Sequence, residues 1–287
     1  MSEPIAVRVV TDSTACLPDA AARDAGIAVV PLRVLAGDDE WREGVEISPD
    51  EVARRIGAGE RLTTSQPPPA ALLAAYREAA AAGARAVVSV HLSGALSGTV
   101  GAAEHAGHRA MLPVRVVDSG TVAMALGFAA TEAAACAAAG HDAAHVAARA
   151  AEVAGSSETV FLVDSLDHLR RGGRLSAPAA ALGTALGVRP LLGVRDGRIE
   201  LLQRVRTRAA ATARLVERAA RHAEGLERPG VAVHHLGVPD RADEVAEELH
   251  ERLGVDVVVS PVSAVLGAHA GPGALAVAVA ELGTHRH

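Results

Sequence analysis

Three places in this chain interrupt apolar runs with hydroxyl, amide or imidazole side chains. The first is Thr63-Thr64-Ser65-Gln66 followed by Pro67-Pro68-Pro69, and the second is Ser93-Gly94-Ala95-Leu96-Ser97-Gly98-Thr99. The third is His269-Ala270-Gly271-Pro272-Gly273, set inside the uncharged stretch 257–280. Glycine permits positive φ and close backbone approach, and proline fixes φ while removing a donor. The third break therefore reads as a stiff loop holding an imidazole at a strand end, with a buried strand on either side. Together the breaks predict a site of hydroxyl and amide donors on an aliphatic scaffold. No nucleophile or metal cluster stands out among them.

Other chemistries are tested by spacing. A nucleophile elbow needs glycine two positions before its serine. Ser93, Ser97 and Ser119 have His91, Ala95 and Val117 there. Gly271-Pro-Gly-Ala-Leu-Ala matches GxGxxA only formally, because a strand pattern comes after it where the dinucleotide fingerprint needs a helix. A phosphate-binding P-loop requires a lysine, and the chain has none. His141 and His145 have i, i+4 spacing on an expected helix, without the glutamate of a zinc protease or a third ligand, so no metal site is expected. Arg170, Arg171 and Arg174 surround Gly172-Gly173, where cations at a helix C-terminus account for Arg170 and Arg171. Arg204, Arg206 and Arg208 bracket an expected strand end.

The elements that must position these groups are read from periodicity. Strands are predicted near 7–10, 27–35, 86–92 and 114–117, alternating with helices over 18–25, 48–56, 69–82, 96–106 and 123–138. Ser48 with Glu51 three positions on, and Pro49 between, is a capping-box pattern. Continuous β-branched strands between helices imply a parallel sheet covered on both faces. Ligands in such sheets bind beyond the strands' carboxyl ends. Thr11-Asp12-Ser13-Thr14, His91-Leu92-Ser93-Gly94 and Val117-Asp118-Ser119-Gly120 all fall there. The second half changes character: strand 159–163, helices 165–171, 177–186 and 207–223, strands near Val231 and Val255, and an Asp196-Gly197 hairpin signal. A separate α+β domain is expected from about Gly155-Ser156.

Composition bounds the function. The chain has 287 residues, with 34 acids against 28 bases and a formal charge of −6. A general nucleic-acid binder needs a basic face, and 1% aromatic content leaves no stacking platform. The core must be Ala, Val and Leu. Cys16 and Cys136 form no CxxC pair, and the N-terminus lacks a signal-peptide pattern, so a reduced, cytoplasmic protein is expected. Residues 257–280 are long enough to span a bilayer, but their prolines and glycines favour two buried strands over a membrane helix.

The arrangement resembles the DegV family, the fatty-acid-binding subunits of bacterial fatty acid kinase. The resemblance rests on Thr11-Asp-Ser-Thr-Ala-Cys-Leu, Thr64-Ser-Gln-Pro, Ser93-Gly-Ala-Leu-Ser-Gly-Thr, Val117-Asp-Ser and Leu166-Asp-His-Leu-Arg-Arg-Gly-Gly-Arg. It continues in Gly187-Val-Arg-Pro, Val205-Arg-Thr and His269-Ala-Gly-Pro-Gly. It implies an α/β fold of two domains, an N-terminal parallel-sheet three-layer αβα domain over 1–155 and a C-terminal α+β domain with a mixed sheet over 156–287. A long-chain fatty acid would lie between them. Thr64 or Ser65, with Ser93 and the adjoining Gly94, would hold its carboxylate. Arg206 and His269 would face the kinase catalytic subunit, which phosphorylates that carboxylate to an acyl phosphate for phospholipid synthesis. Such a carrier needs no cofactor or metal and has no turnover of its own. The competing reading is a serine acyl hydrolase using Ser93 with His269 as base. Pro68, Gly94 and Val100 depart from the family's usual hydroxyl, serine and tyrosine.

Overall fold

Two buried strands rich in valine, Val7–Asp12 (β1) and Ala86–His91 (β6), lie at the centre of a four-stranded parallel sheet. Both faces of that sheet are covered, which is why their burial is continuous rather than alternating. We describe residues 6–175 and 189–283 of a computed structural model. The sheet order is β2-β1-β6-β7, with Ala28–Val30 as β2 and Val114–Asp118 as β7. The expected helix over 177–186 lies outside the described residues.

The run expected as one strand over 27–35 is two. Pro31 has no N–H to donate, so the ladder with β1 ends at Val30. The chain then turns away into Arg33–Ala36 (β3), which pairs antiparallel with Asp39–Arg42 (β4) and Thr63–Ser65 (β5). This small sheet carries Thr64 and Ser65. Between β4 and β5, helix α2 (Pro49–Gly57) comes after α1 (Asp19–Asp24) in chain order. Ser48 caps α2 by accepting from the Glu51 N–H at 3.2 Å, while the Glu51 carboxylate goes to Arg54 and Arg55 instead of closing a reciprocal box.

Helices α3 (Pro69–Ala81) and α4 (Thr99–Gly107) cover one face of the parallel sheet. Helix α4 begins later than expected, because Ser97 accepts from the Thr99 N–H and residues 93–98 turn over the strand end. On the other face lie α5 (Met124–Ala138) and α6 (Ala143–Ser156). Helix α6 lies where a helix through His141 and His145 is expected, but it starts only after Asp142, which caps it through the Ala144 and His145 N–H groups. His141 precedes that cap, so the two histidines are not i, i+4 helical neighbours; their rings stack 5.5 Å apart.

A second sheet of six strands, β10-β9-β8-β13-β11-β12, packs on the far side of α5 and α6. Its strands are Glu158–Leu162 (β8), Arg189–Arg195 (β9), Arg198–Val205 (β10), Pro229–His235 (β11), Val257–Pro261 (β12) and Leu275–Glu281 (β13). Only β11 and β12 pair in parallel, so the sheet is mixed. Asp196 and Gly197 both take positive φ, 47° and 74°, as a two-residue hairpin turn requires. Helices α8 (Arg208–Ala223) and α9 (Pro239–Leu253) close the outer face, while α7 (Asp167–Arg171) comes after β8. The fold is thus a two-domain α/β structure, a parallel four-stranded sheet with its helices beside a second domain built on a mixed sheet. No helix among the described residues is long and apolar enough to cross a membrane.

The stretch 257–280 is not two strands joined by a tight loop. A helix, α10 (Ala264–Ala270), stands between β12 and β13. Ser263 caps it by accepting from the Leu266 N–H at 3.1 Å, and Gly271 at φ +80° ends it. Both are ordinary start and stop signals, and His269 consequently sits on the helix's last turn rather than on a rigid loop.

Helix α5 is buried over most of its surface, with Ala129, Ala130 and Ala133 at 0% exposure between the two sheets. A helix hydrophobic all round belongs inside, and alanine lets two sheets close on it. Ala133→Leu is expected to destabilise by about 1–3 kcal/mol through overpacking, read by urea denaturation. Ala144→Leu on the exposed side of α6 should stay within about 0.5 kcal/mol.

Candidate ligand-binding site

The carboxyl ends of β1 and β6 are tied together by one buried carboxylate. Asp12 accepts from the Thr14 N–H at 3.1 Å, the Thr14 hydroxyl at 2.5 Å and the Leu92 N–H at 3.0 Å. His91 Nδ1 is a further partner at 3.0 Å, and its Nε2 continues through Ser89 Oγ (2.7 Å) to Tyr76 (2.9 Å). The residue types are those of a hydrolytic triad, but the group is fully buried and lines neither of the two cavities at the strand ends. Its effect is to fix the loops after β1 and β6.

Beside those loops is a cavity of about 330 Å³, at the small end of ligand sites. Its walls come from both halves of the chain. Leu32, Leu92, Leu96 and Val122 face Phe161, Val194, Ile199, Val262, Leu266 and Leu275. Two polar residues along this apolar length are already satisfied. Thr159 Oγ1 bonds Thr121 Oγ1 at 3.2 Å. His234 Nε2 accepts from the Met124 N–H at 3.2 Å, so its Nδ1–H donates to Ser260 Oγ at 3.1 Å. Burial holds the His234 imidazole neutral, down to about 4.

The polar end is built by Thr64, Ser65, Gln66, Ser97, Arg174 and His269. Thr64 Oγ1 and His269 Nε2 are hydrogen-bonded at 2.7 Å. Burial first, then the nearby Arg174 and His168, depress the His269 imidazole to about 4, so it is neutral at pH 7. The Arg174 guanidinium donates to the carbonyls of Leu96 (3.1 Å) and Gly172, and among the described residues no carboxylate pairs with it. A neutral imidazole, hydroxyls and one uncompensated cation can bind an anionic head while the apolar walls take a tail.

Two glycine-containing motifs interlock here. A Cβ on Gly172 would overlap His269 Nδ1, and one on Gly271 would lie 2.6 Å from His168 Cδ2. Each loop's histidine therefore rests on the other loop's glycine.

Of the residues singled out in sequence, Thr64, Ser65 and His269 meet at this end. Ser93 and Gly94 do not line the cavity. The Ser93 hydroxyl donates to the Gly197 carbonyl at 2.7 Å, tying the β9–β10 hairpin down, and the Gly94 N–H donates to Asp118 at 3.1 Å. Ser93 and His269 thus have separate partners and form no nucleophile–base pair. Arg206 is exposed between β10 and α8. Cys16, a small residue, accepts from the Ser263 N–H at 3.2 Å. Sequence reasoning misses Arg174 as a site residue, since it separates Arg174 from Arg170 and Arg171 without giving it a role. The Gly172-Gly173 pair before it, which allows backbone to approach His269, is the available signal.

These features define a two-domain α/β protein with a mainly apolar candidate ligand site that has a polar end. The DegV family model, described as an uncharacterised protein family, matches residues 6–282, and the chain belongs to that family. It is 48% identical over 275 residues to a DegV domain-containing protein of Streptomyces coelicolor, covering 95% of this chain and 98% of the relative. Among solved structures it is similar to a fatty-acid-binding DegV family protein from Thermus thermophilus, at TM-score 0.89 and 33% identity, covering 96% of this chain and 99% of the other. DegV of Bacillus subtilis, a fatty acid binding protein, superposes at TM-score 0.87 and 33% identity, over 96% of this chain and 99% of that one.

Gly172 has φ −71°, so alanine is acceptable to its backbone and only the added Cβ matters. Gly172→Ala should push the His269 ring off Thr64 and return its titration from about 4 toward the ordinary 6.5. In the wild type the unfolded chain binds this proton and the folded one does not, so acidification from 6.5 toward 4 destabilises. The variant should lose that contribution. Long-range ¹H–¹⁵N spectra through a pH series check it; a ring still neutral at about pH 5.5 in the variant would contradict the steric account.

Proposed function

We propose that this protein binds a long-chain fatty acid, with the tail in the apolar cavity and the carboxylate against Thr64, Ser65 and Arg174. The observation that carries the reading is an aliphatic cavity whose polar end holds a guanidinium without a carboxylate partner among the described residues. A sixteen-carbon tail has about fourteen methylenes, worth about 0.8 kcal/mol each on burial, or about 11 kcal/mol gross. Association and ordering reduce that considerably. The relatives described as fatty acid binding support the same choice of ligand.

In this reading the domains divide at 155/156 and the ligand lies between them, which fits walls drawn from both sides of that division. Ser93 acts through the hairpin that it fastens, Gly94 ties the same loop to Asp118, and His269 orients the Thr64 hydroxyl. The protein carries its ligand without turnover in the cytoplasm and presents the carboxylate to a kinase. That carboxylate would attack the γ-phosphorus of a nucleoside triphosphate; the Pγ–O bond breaks and the diphosphate leaves with the electron pair. Exposed Arg206, whose fork suits acidic or phosphate oxygens, belongs to the docking face.

Organic extraction of the purified protein should yield a free long-chain fatty acid at one to one by mass spectrometry. Recovery of nucleotide or phospholipid alone would defeat the carrier reading. Thr64→Val should weaken fatty-acid affinity about 10- to 100-fold, the loss of one hydrogen bond to a charged acceptor.

Arg206→Ala should keep the fatty acid yet lose most acyl-phosphate formation in a reconstituted kinase assay. Wild-type turnover at limiting carrier concentration would move the docking face elsewhere.

A further inference from the structure

The apolar cavity is shut off from solvent along nearly all of its wall. Among the described residues that line it, Gln66 and Gly98 alone are exposed; the rest are buried or half-buried. These two belong to different rims, Gln66 to the end of β5 and Gly98 to the turn before α4. A Cβ built on Gly98 would lie 1.8 Å from Gln66 Oε1, so the carboxamide rests on the glycine backbone and spans the gap between the rims. No hydrogen bond holds it there among the described residues. Elsewhere at the polar end the wall is pinned, with Thr64 bonded to His269 and Arg174 to the Leu96 and Gly172 carbonyls.

Both rims are stiff. Before Gln66 the chain is paired to β3, and after it comes Pro67-Pro68-Pro69, so the backbone is fixed on either side. The other rim is folded on itself: the Leu96 and Ser97 N–H groups donate to the Ser93 carbonyl, and the Ser93 hydroxyl holds Gly197. What moves is the Gln66 side chain, whose torsions rearrange faster than a loop does. We propose that Gln66 is the gate of the cavity, and that ligand enters and leaves between Gln66 and Gly98. Glycine at 98 is part of the device. Its φ of −74° is open to alanine, so what the glycine supplies is the space that seats the carboxamide. A gate of this kind acts by bulk, raising the barrier to entry and exit alike and leaving affinity unchanged. That the cargo is a fatty acid rests on the reading above; the position of the gate does not.

Stopped-flow fluorescence on the delipidated full chain tests this with two probes, cis-parinaric acid, a fluorescent fatty acid, and diphenylhexatriene, a neutral apolar rod. Gln66→Ala shortens an exposed side chain, so the fold should be retained. It should speed entry and exit of both probes on the order of tenfold each, with Kd unchanged within about threefold. Gln66→Met, of like length without the amide, should keep wild-type rates. If wild-type protein takes up diphenylhexatriene but not cis-parinaric acid, and Gln66→Ala speeds the former, the gate stands and the fatty-acid reading fails. If only the exit of cis-parinaric acid quickens, and Gln66→Met weakens its binding as much as Gln66→Ala, the amide is a head-group ligand and the gate is overturned. Unchanged rates for both probes, or uptake of neither, overturn it as well.

Discussion

Everything at the site depends on how the short helix Ala264–Ala270 is seated. It lies between two strands of the mixed sheet, yet its first turn is held by groups from the other end of the chain. The Val265 N–H donates to Glu43 at 2.8 Å, and the Ser263 N–H donates to Cys16. Glu43 is buried, receives the Ser13 hydroxyl as well, and has its carboxyl pushed up by burial. A buried carboxyl is costly unless it is hydrogen-bonded; here the bonds come from a helix start and a strand-end hydroxyl. That anchorage aims the helix so that its last turn delivers His269 to Thr64, 205 positions away in sequence.

With the helix fixed, the interlock of His168 on Gly271 and His269 on Gly172 sets the electrostatics. Both imidazoles are kept neutral, so neither adds a positive charge to the polar end. The charge there is Arg174, held by backbone carbonyls that restrict the guanidinium without neutralising it. In the proposed reading, a cation restrained in this way selects an anion and leaves the apolar walls to set the length of the tail. The division of labour is between a charged head fixed by loops and a tail enclosed by strands and α10.

Much of this is legible in the sequence. β-branched runs alternating with helices point to the parallel sheet, and Asp196-Gly197 points to the hairpin, because both signals are local. Thr64, Ser65 and His269 stand out because their residue types interrupt apolar runs. The failures have separate causes. Residues 257–280 are uncharged and mostly apolar, so period cannot separate a strand from a seven-residue helix, and the cap at Ser263 and the stop at Gly271 are outweighed by Gly-Pro-Gly. In 27–35 the proline is the deciding residue, and its missing N–H breaks the strand. Ser93 reads as a head-group donor on its type, whereas its partner, the Gly197 carbonyl, lies 104 positions away and is set only by the packing of the two domains. Arg174 is passed over because nothing local gives it a role, and the Leu96 carbonyl that holds it lies 78 positions away.

The central claim is that a fatty carboxylate sits at the Thr64–Arg174 end of the cavity with its tail along the apolar walls. Isotope-edited nuclear Overhauser spectra of the protein loaded with [2-¹³C]palmitate test this most directly. The account predicts contacts from the labelled methylene to the Thr64 methyl and the His269 ring. Contacts to the His234 ring in place of those to Thr64 and His269 would put the head group elsewhere in the cavity and contradict it.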